Sequence, residues 1–488
     1  MTRLLALMIA AAPVAADPIF EDRSAGLPNH IYGGGWEHFV GGGVAVFDCN
    51  GDALPDLFAA GGENPAKLLV NQGNFVFADG ALAELTGVTG AYPLDINADG
   101  MMDLFVLRVG QNRLLMGDGD CAFTPGNALP QDDAWSTAFT AWWEDDGHPM
   151  MAVGNYVDRA NPEGPFGACD DNAILRPSAT GYQSTPLTPG FCPLSMLAAD
   201  DARGRSTLRI SNDRHYYIRD GYEQMWDIEE QRFLGADDGW QNVSLWGMGI
   251  ASRDLTGDGR DEVMLTSMGD QLMQMAQVDG TYAAAPFTIG TYAQRPHTGD
   301  DGRPSTGWHA EFADVDNDGR ADLFIAKGNV DQMPGLAIKD PNNLLMQNPD
   351  GTFRETAATA GVATKERARG AALADFDGDG RLDLVVMNRR APMELYRNFT
   401  PDTGNWLGVS LSQLGGNVNA VGATVVVETG ALRQSQQLSI GGGHAGGKAV
   451  PLHFGLSDAQ EAVVTVRWPD GQESTYRAEA NQAVRLAR

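Results

Sequence analysis

Five stretches of the chain place oxygen-bearing side chains at the same four positions of a nine-residue frame. In residues 375–383, aspartates occupy positions 1, 3, 5 and 9, with Asp375 as position 1. Oxygen donors at alternate positions can converge on a hard cation, calcium in preference to magnesium. The five sets are Asp48, Asn50, Asp52 and Asp56; Asp95, Asn97, Asp99 and Asp103; Asp254, Thr256, Asp258 and Glu262; Asp314, Asp316, Asp318 and Asp322; and Asp375, Asp377, Asp379 and Asp383.

The frame differs from a helix–loop–helix calcium site. Such a site needs a glutamate at position 12, where these stretches carry Ala59, Val106, Leu265, Ile325 and Val386. The position-9 carboxylate would close each site instead. Position 6 needs a positive φ and is glycine in four frames but Ala53 in the first. We therefore predict about five β–loop–β calcium sites, the first strained or weaker. The alternative is a plain Asp/Gly turn with solvated carboxylates.

The frames recur at intervals that predict one β-sheet unit each. Adjacent copies begin 47, 60 and 61 residues apart, and one gap of 159 residues separates Asp95 from Asp254. Two degraded copies fit this gap with Trp142 and Ala199 at position 1, and the second has Arg203 where the ion would lie. Seven units, each with an apolar run before its loop and an alternating run after it, predict a seven-bladed β-propeller. We expect the third and fourth loops to be metal-free.

Longer stretches carry a family resemblance. The frames resemble the FG-GAP/VCBS repeats of integrin α-chain propellers, and WGMGIASRDLTGDG and RGAALADFDGDGRLDLVVMNR are similar to the cartilage acidic protein family. The tail, with NWLGVSLS and VTVRWPDGQ, resembles the ASPIC/UnbV domain that ends those proteins. The resemblance implies an all-β chain: a seven-bladed propeller with integrin-α-like calcium loops at 17–402, then a small β-sandwich-like domain at 403–488.

Residues about six positions before the frames are predicted to ring the propeller mouth opposite the loops, by analogy with the integrin propeller. Aromatic side chains beside a few titratable groups in a concave mouth are typical of a ligand site. The alternative is that the tryptophans and methionine fill the channel. The predicted ligand contacts are Trp36, Trp246, Met248 and Trp308, and the catalytic candidates are Glu37, His38, His309 and Arg369.

The glycine-rich stretch GGGHAGGKA at 441–449 contains the GxxxxGK spacing of a phosphate-binding loop. Ala449 stands where such a loop needs serine or threonine, and the flanks have strand patterns rather than strand-then-helix patterns. We interpret the stretch as a flexible connection between strands and not as a nucleotide site.

The N-terminus indicates export. A basic residue, an apolar run and small residues up to Ala16 are typical of a secretory leader, here 1–16, removed near Ala16. No other apolar run reaches the roughly 20 residues that span a bilayer.

Four cysteines in an exported chain suggest two disulfides, with three possible pairings. Cys169 and Cys192 bracket a loop-like stretch, and their pairing leaves Cys49 with Cys121. The alternative is buried free thiols.

The formal net charge of −30 makes nucleic acid an improbable partner, and five calcium ions would offset a third of it. We predict a periplasmic or secreted, monomeric calcium-binding propeller that acts as a protein- or glycan-binding or adhesion scaffold. The alternative is a calcium-dependent extracytoplasmic lyase, hydrolase or cyclase that uses the mouth residues. A third hypothesis is a structural subunit of an envelope assembly.

Overall fold

The computed structural model describes residues 17–126, 129–130, 133–145, 147–161, 167–213, 221–292, 302–331, 333–430 and 432–488. The predicted leader, 1–16, lies outside the described residues. In this part of the chain, helical structure is limited to α1 (Ala357–Ala360) and 3-10 turns at Ser24–Gly26, Trp36–His38, Ala236–Asp238 and Phe287–Ile289. None of the helices found there is long and apolar enough to cross a membrane.

The other regular elements of the described chain are strands, beginning with β1 (Phe20–Asp22). Blade one contains β2 (Val44–Phe47), β3 (Asp56–Ala59), β4 (Lys67–Asn71) and β5 (Phe77–Asp79); blade two contains β6 (Val88–Leu94), β7 (Asp103–Arg108), β8 (Arg113–Gly117) and β9 (Phe123–Pro125). Blade three contains β10 (Ser136–Trp142), β11 (Met150–Asn155), β12 (Asn172–Ser178) and β13 (Gly181–Leu187); blade four contains β14 (Pro193–Asp200), β15 (Ser206–Asn212), β16 (Gln224–Asp227) and β17 (Arg232–Phe233). Blade five contains β18 (Gly247–Arg253), β19 (Glu262–Ser267), β20 (Leu272–Ala276) and β21 (Tyr282–Ala284). Blade six contains β22 (Gly307–Ala313), β23 (Asp322–Lys327), β24 (Asn343–Gln347) and β25 (Phe353–Glu355); blade seven contains β26 (Ala368–Ala374), β27 (Asp383–Asn388) and β28 (Glu394–Asn398).

These blades form a closed ring. Each is an antiparallel meander, and the first strands of neighbouring blades contact one another around the centre. Blade seven takes β1 as its fourth strand, with Phe20 opposite Asn398, so the two ends of the propeller are hydrogen-bonded in one sheet. The predicted seven-bladed β-propeller is confirmed.

The sequence pattern explains which strand of each blade lies next to the central channel. The inner strands β6 and β26 are buried along their whole length and consist mainly of apolar and small residues. The outer strand β5 has one buried and two exposed residues. Hydrophobic clusters fill the spaces between blades; Ala138 and Ile174 of blade three, for example, pack with Met196 and Leu208 of blade four.

The C-terminal region adds two further sheets, called here the C-terminal sheets. One sheet orders β33 (Leu452–Ser457), β29 (Asn405–Ser412) and β36 (Gln482–Ala487). The other orders β31 (Arg433–Gln437), β30 (Thr424–Glu428), β34 (Glu461–Arg467) and β35 (Glu473–Glu479). A core that includes Leu407, Val425, Phe454 and Trp468 lies between them. The short strand β32 (Lys448–Ala449) leaves these sheets and pairs in parallel with β2.

Both predicted disulfides are present. Cys49–Cys121 joins the loop after β2 to the turn between β8 and β9, and therefore links blade one to blade two. Cys169–Cys192 joins the segment after β11 to the residue before β14, and links blade three to blade four. Closing these chain loops stabilises the fold by restricting the unfolded chain.

Candidate metal loops and the filled channel

The five acidic loops share one backbone hydrogen-bonding scheme. In every loop the position-1 carboxylate accepts the N–H of position 6 at 2.7–2.9 Å. All five position-6 residues have positive φ, which strains a side chain at Ala53, where φ is 66°. The other four donors are Gly100, Gly259, Gly319 and Gly380. Each loop therefore curls around its first carboxylate.

The position-9 carboxylate is buried and ties the loop to its blade. One oxygen of Asp383 accepts the N–H of Phe376 at 2.9 Å, and the other accepts the N–H of Asn398 at 2.8 Å. Asp56, Asp103 and Asp322 make the same two kinds of bond. A carboxylate oxygen that accepts one backbone hydrogen bond keeps a lone pair for a cation.

Burial makes these carboxylates costly to ionise. Loss of hydration raises the pKa of Asp56 and Asp103 to about 6 and that of Glu262 to about 7. The pKa values of Asp314 and Asp322 are raised well above the usual range, chiefly by burial and then by neighbouring aspartates. A compact group of charged carboxylates at neutral pH therefore calls for a cation among them.

The oxygen atoms fit calcium in type and in grouping. Oxygens of Asp314, Asp316 and Asp322 all lie within 4.8 Å of one another, as do those of Asp375, Asp377 and Asp383. Asp95 is buried, and one of its oxygens makes no hydrogen bond of normal geometry among the described residues. Calcium takes six to eight oxygen ligands from flexible arrangements of this kind. These groups could therefore hold a calcium ion.

Arginines already neutralise part of this charge. In blade seven, Arg397 Nη2 lies 2.9 Å from Asp377 Oδ2 and 3.1 Å from Asp379 Oδ2. Arg381 and Arg320 each contact the position-5 aspartate of their own loop.

The loop of blade three departs from the predicted frame. β10 ends at Trp142, so Trp143, and not Trp142, opens the loop. Glu144 in this loop lies 3.4 Å from Arg176 of the neighbouring strand β12.

The loop of blade four is shorter, and an arginine of the loop neutralises its carboxylate. β14 ends at Asp200, so the loop begins at Asp201, two residues after the predicted Ala199. Arg205 donates to Asp201 Oδ2 from Nε at 2.9 Å and from Nη2 at 2.6 Å. The assignment of Arg203 to the ion position was wrong, because its Nε donates to a carbonyl outside the loop, that of Asp279.

The acidic loops differ in what covers them. Positions 3 and 5 are exposed in blades one and two, at Asn50, Asp52, Asn97 and Asp99. In blade six, Asp316 is buried and the C-terminal sheets lie against the loop. The N–H of Gly404 donates to the Asp316 carbonyl at 2.9 Å, and the N–H of Ser457 donates to the Asn317 carbonyl at 2.9 Å.

A segment of the C-terminal region fills the central channel. Residues 440–449, called here the plug, enter from the loop side, where Ile440 bridges Ala141 of blade three. Gly441 then bridges Leu197 of blade four, and Gly443 bridges Ile250 of blade five.

The plug turns at His444, whose N–H donates to His309 Nδ1 of blade six at 3.1 Å. On the way back, the N–H of Gly447 donates to the Ala91 carbonyl of blade two at 3.1 Å. Lys448 pairs with β2 and donates to the Leu373 carbonyl of blade seven. The plug therefore contacts the inner strands of all seven blades, and the interpretation of 441–449 as a flexible connection was wrong.

Glycines make room for the plug on both sides. A Cβ on Gly43 or Gly90 would lie 1.8 Å or 1.6 Å from the Ala445 carbonyl oxygen. Within the plug, a Cβ on Gly446 would lie 2.2 Å from the Val44 oxygen. The sequence holds a signal for this: the residue five positions before the frame is glycine at 43, 90, 249 and 370, and His309 in blade six.

The predicted mouth residues lie together at the channel end opposite the loops, and several of them are packed inside the channel. Met248 and Trp308 are buried in one cluster with Phe39. The Trp308 ring lies 5.0 Å from the His444 ring and 4.0 Å from the Arg369 guanidinium.

Arg369 is fully buried and bound by carbonyls. Its guanidinium donates to the carbonyls of Phe39, Ala368, Asn329 and Val330 at 2.6–3.1 Å. These bonds hold the segment around Phe39 across the end of the channel.

The remaining mouth residues lie on this covering segment or beside it. Trp36 is 40% exposed, and its ring centroid lies 4.5 Å from that of Phe39 with the ring planes tilted by 34°. Glu37 is half-buried and accepts from Arg159 Nε at 2.7 Å, and His38 is buried. Trp246 is half-buried against the same cluster.

A surface depression of about 560 Å³ lies elsewhere, beside blades four and five. Its lining includes Tyr222, Trp240, Asn242 and Thr281, and none of the predicted mouth residues.

Comparison with protein families confirms the resemblance. Residues 413–488 match the family described as ASPIC and UnbV, and residues 48–106 and 330–386 match the FG-GAP-like repeat. The repeat matches include the acidic loops of blades one, two and seven. The chain thus combines FG-GAP-like repeats with an ASPIC and UnbV domain.

Curated relatives match parts of the chain. Cartilage acidic protein 1 of Homo sapiens is 28% identical over 164 residues, which are 33% of this chain and 24% of that protein. The Xenopus tropicalis protein of the same name is 25% identical over 268 residues, 52% of this chain and 38% of that protein. The chain therefore spans well under half the length of these relatives.

Two solved structures that resemble the chain have lower sequence identity to it. BP39L lectin from Burkholderia pseudomallei has a TM-score of 0.48 at 11% identity, covering 74% of this chain and 96% of its own. BBS1N in complex with ARL6DN has a TM-score of 0.45 at 10% identity, covering 78% and 97%.

Proposed function

We propose that the chain is an exported calcium-binding β-propeller that serves as a binding or adhesion scaffold for a protein or glycan. The observation that carries the proposal is the repetition of one loop: in five blades, a carboxylate at position 1 and a buried carboxylate at position 9 make the same backbone bonds. The proposal divides the chain at the predicted bounds, 1–16, 17–402 and 403–488.

The filled channel supports a scaffold more than an enzyme. A propeller enzyme at this mouth would need its acid, base or anion-binding groups to reach a substrate. Instead, His309 Nδ1 accepts the plug amide at His444, and Arg369 makes four hydrogen bonds to carbonyls. The two disulfides support an oxidising compartment such as the periplasm or the cell exterior.

Thermal melting in calcium and in excess EDTA tests the proposal. A ligand that binds only the native state stabilises it by about 2.7 kcal/mol per site at 100 times its Kd. We expect the melting temperature to fall by several degrees or more in EDTA and to recover when calcium is restored. Melting that does not respond to either reagent would contradict calcium binding.

Two matched variants localise the effect. Asp375→Asn removes the first carboxylate of an acidic loop and should reduce the calcium-dependent shift. Asp201→Asn removes the carboxylate that Arg205 already neutralises in blade four, and should leave that shift unchanged. Equal reduction in both variants would contradict the assignment of the sites.

A further inference from the structure

The curled parts of the acidic loops in blades five to seven form the surface on which the C-terminal sheets rest. In blade six, His453 Nε2 lies 2.7 Å from Asn317 Oδ1, and the backbone of Gly455 lies so close that a Cβ there would be 2.0 Å from Asp314 Oδ2. In blade five, Arg433 Nη1 donates to the Gly257 carbonyl at 3.0 Å.

In blade seven the contact is with an aromatic ring. A Cβ on Gly380, at position 6 of the loop, would lie 1.8 Å from Trp406 Nε1. The loops of blades six and seven also hold each other, because Asn317 Nδ2 donates to the Gly380 carbonyl at 3.0 Å. The docking surface therefore exists only while both loops keep their curled form.

The same loops contain the densest groups of carboxylates. At the four frame positions each has four aspartates, against three carboxylates in blades one, two and five; a further aspartate of blade five, Asp261, lies outside these positions and accepts from Ser252 Oγ. Arg320, Arg381 and Arg397 lie against some of these aspartates, and the remaining like charges repel one another unless a metal cation lies among them. The curled form should therefore depend on the cation more strongly here than elsewhere.

The plug belongs to the same unit as the docked sheets. It runs between β31 and β33, one strand of each C-terminal sheet, so its course is anchored at both ends by those sheets. We propose that cation occupancy of the loops in blades six and seven is coupled to the seating of the C-terminal sheets, so that loss of the cation withdraws the plug from the channel. This inference rests on the proposed calcium binding.

Hydrogen exchange of the intact chain provides the test, because three plug amides are direct reporters. The N–H groups of Gly442 and Gly443 donate to the carbonyls of Met196 and Ile250 at 2.7 Å, and that of Gly447 donates to Ala91 at 3.1 Å. Exchange would be followed by mass spectrometry in calcium, after EDTA and after calcium is restored, with bound calcium measured in each sample.

On chelation we expect exchange of these amides to accelerate on the order of tenfold, a typical size for coupled sites, while amides of the second strands β3, β7 and β11 in blades one to three stay protected. Restored calcium should reverse the change. Plug amides that stay protected after measured loss of calcium would overturn the coupling, and so would simultaneous exchange of plug and blades. A chain that binds no calcium in any sample would overturn the proposed function as well, so the two failures are distinguishable.

Two variants at the same loop position sharpen the test. Asp318→Asn alters position 5 in blade six, beneath the C-terminal sheets, and Asp99→Asn alters position 5 in blade two, where the residue is exposed. At limiting calcium, only Asp318→Asn should accelerate exchange in the plug. Acceleration of equal size in both variants would overturn the coupling, and the chelation series on the unaltered chain decides the matter if Asp318→Asn does not fold.

Discussion

The acidic loops of blades six and seven lie beneath the C-terminal sheets, whereas those of blades one and two face solvent. The backbone scheme is the same in both: position 1 receives the amide of position 6, and position 9 binds two amides. What differs is the surroundings of position 6: a Cβ on Gly100 would meet open space, whereas a Cβ on Gly380 would meet the Trp406 ring.

The difference indicates that one motif performs two tasks. In an exposed loop the cation would stiffen a turn between two strands of one blade. In a covered loop it would also shape the surface that seats the C-terminal sheets and, through them, the plug. Changes at the covered loops should therefore have larger and more distant effects, which the following comparisons measure.

The largest expected difference is between Asp314→Ala and Asp48→Ala. Asp314 is 1% exposed and accepts the amides of Asp318 and Gly319, so its loss leaves buried donors unpaired beneath the docked sheets. We expect a loss of about 4 kcal/mol in the free energy of unfolding. Asp48 is half-buried in an open loop, and its loss should cost about 1 kcal/mol. Urea unfolding in saturating calcium measures both losses. Equal losses would contradict the expected difference between the covered and the open loop.

Acid should loosen the covered region through two histidines. Burial lowers the pKa of His444 and of His453 to about 3, and cationic side chains act in the same direction, Arg369 on the first and Arg253 and Lys448 on the second. Because the folded pKa is lowered, this stability is complete above the unfolded pKa of about 6.5 and is lost as pH falls. From pH 7 to pH 5.5 the loss is about 1.2 kcal/mol for each histidine.

The loop carboxyls titrate in the same range, since the pKa of Asp375 is raised to about 6 by burial. The test is therefore the difference in pH slope between the unaltered chain and a His444→Gln, His453→Gln double variant, measured in saturating calcium. An identical slope would show that neither histidine is buried in neutral form.

Substitutions at two matched glycines measure how much the C-terminal sheets constrain the loop that they cover. Gly100 and Gly380 both occupy position 6, with φ of 86° and 82°, so alanine at either costs about 1 kcal/mol in backbone strain. Only at Gly380 would the new Cβ meet the Trp406 ring. This clash should lower the free energy of unfolding by about a further 2 kcal/mol. Thermal unfolding of Gly100→Ala and Gly380→Ala compares the two, and equal destabilisation would mean that Trp406 moves freely.

The smallest expected effect is a gain in stability. Ala53 occupies position 6 of the open loop in blade one at φ 66°, so Ala53→Gly should relieve strain and stabilise the chain by about 0.5 kcal/mol after the entropic cost of glycine. Ala81→Gly, at an exposed residue without positive φ, should destabilise slightly. A loss of stability in Ala53→Gly would contradict the strain.

Much of the propeller could be predicted from local pattern. The nine-residue frame marks the turn between the first two strands in five of the blades, because its residues bond mainly to one another and to adjacent strands. Where those residues are missing, the prediction slipped by one residue at Trp142 and by two at Ala199, since a shorter loop leaves no side chain to fix the frame.

The plug could not be placed from its own sequence. GGGHAGGKA lacks hydrophobic periodicity, and its partners lie in seven different blades, so no local rule assigns it a position. Only the glycines at 43, 90, 249 and 370 hint that something approaches the inner strands closely. The predicted mouth residues gave no sign that Trp308 packs against His444, 136 residues away in sequence, or that Arg369 donates to the Phe39 carbonyl, 330 residues away.

The most direct test of the account is the number of calcium ions bound by the purified chain, measured by equilibrium dialysis and elemental analysis. The account predicts about five per chain, one for each acidic loop, and about four for Asp375→Asn. It predicts no change for Asp201→Asn in blade four. A chain that binds no calcium, or one whose calcium content is unchanged when Asp375 is neutralised, would contradict it.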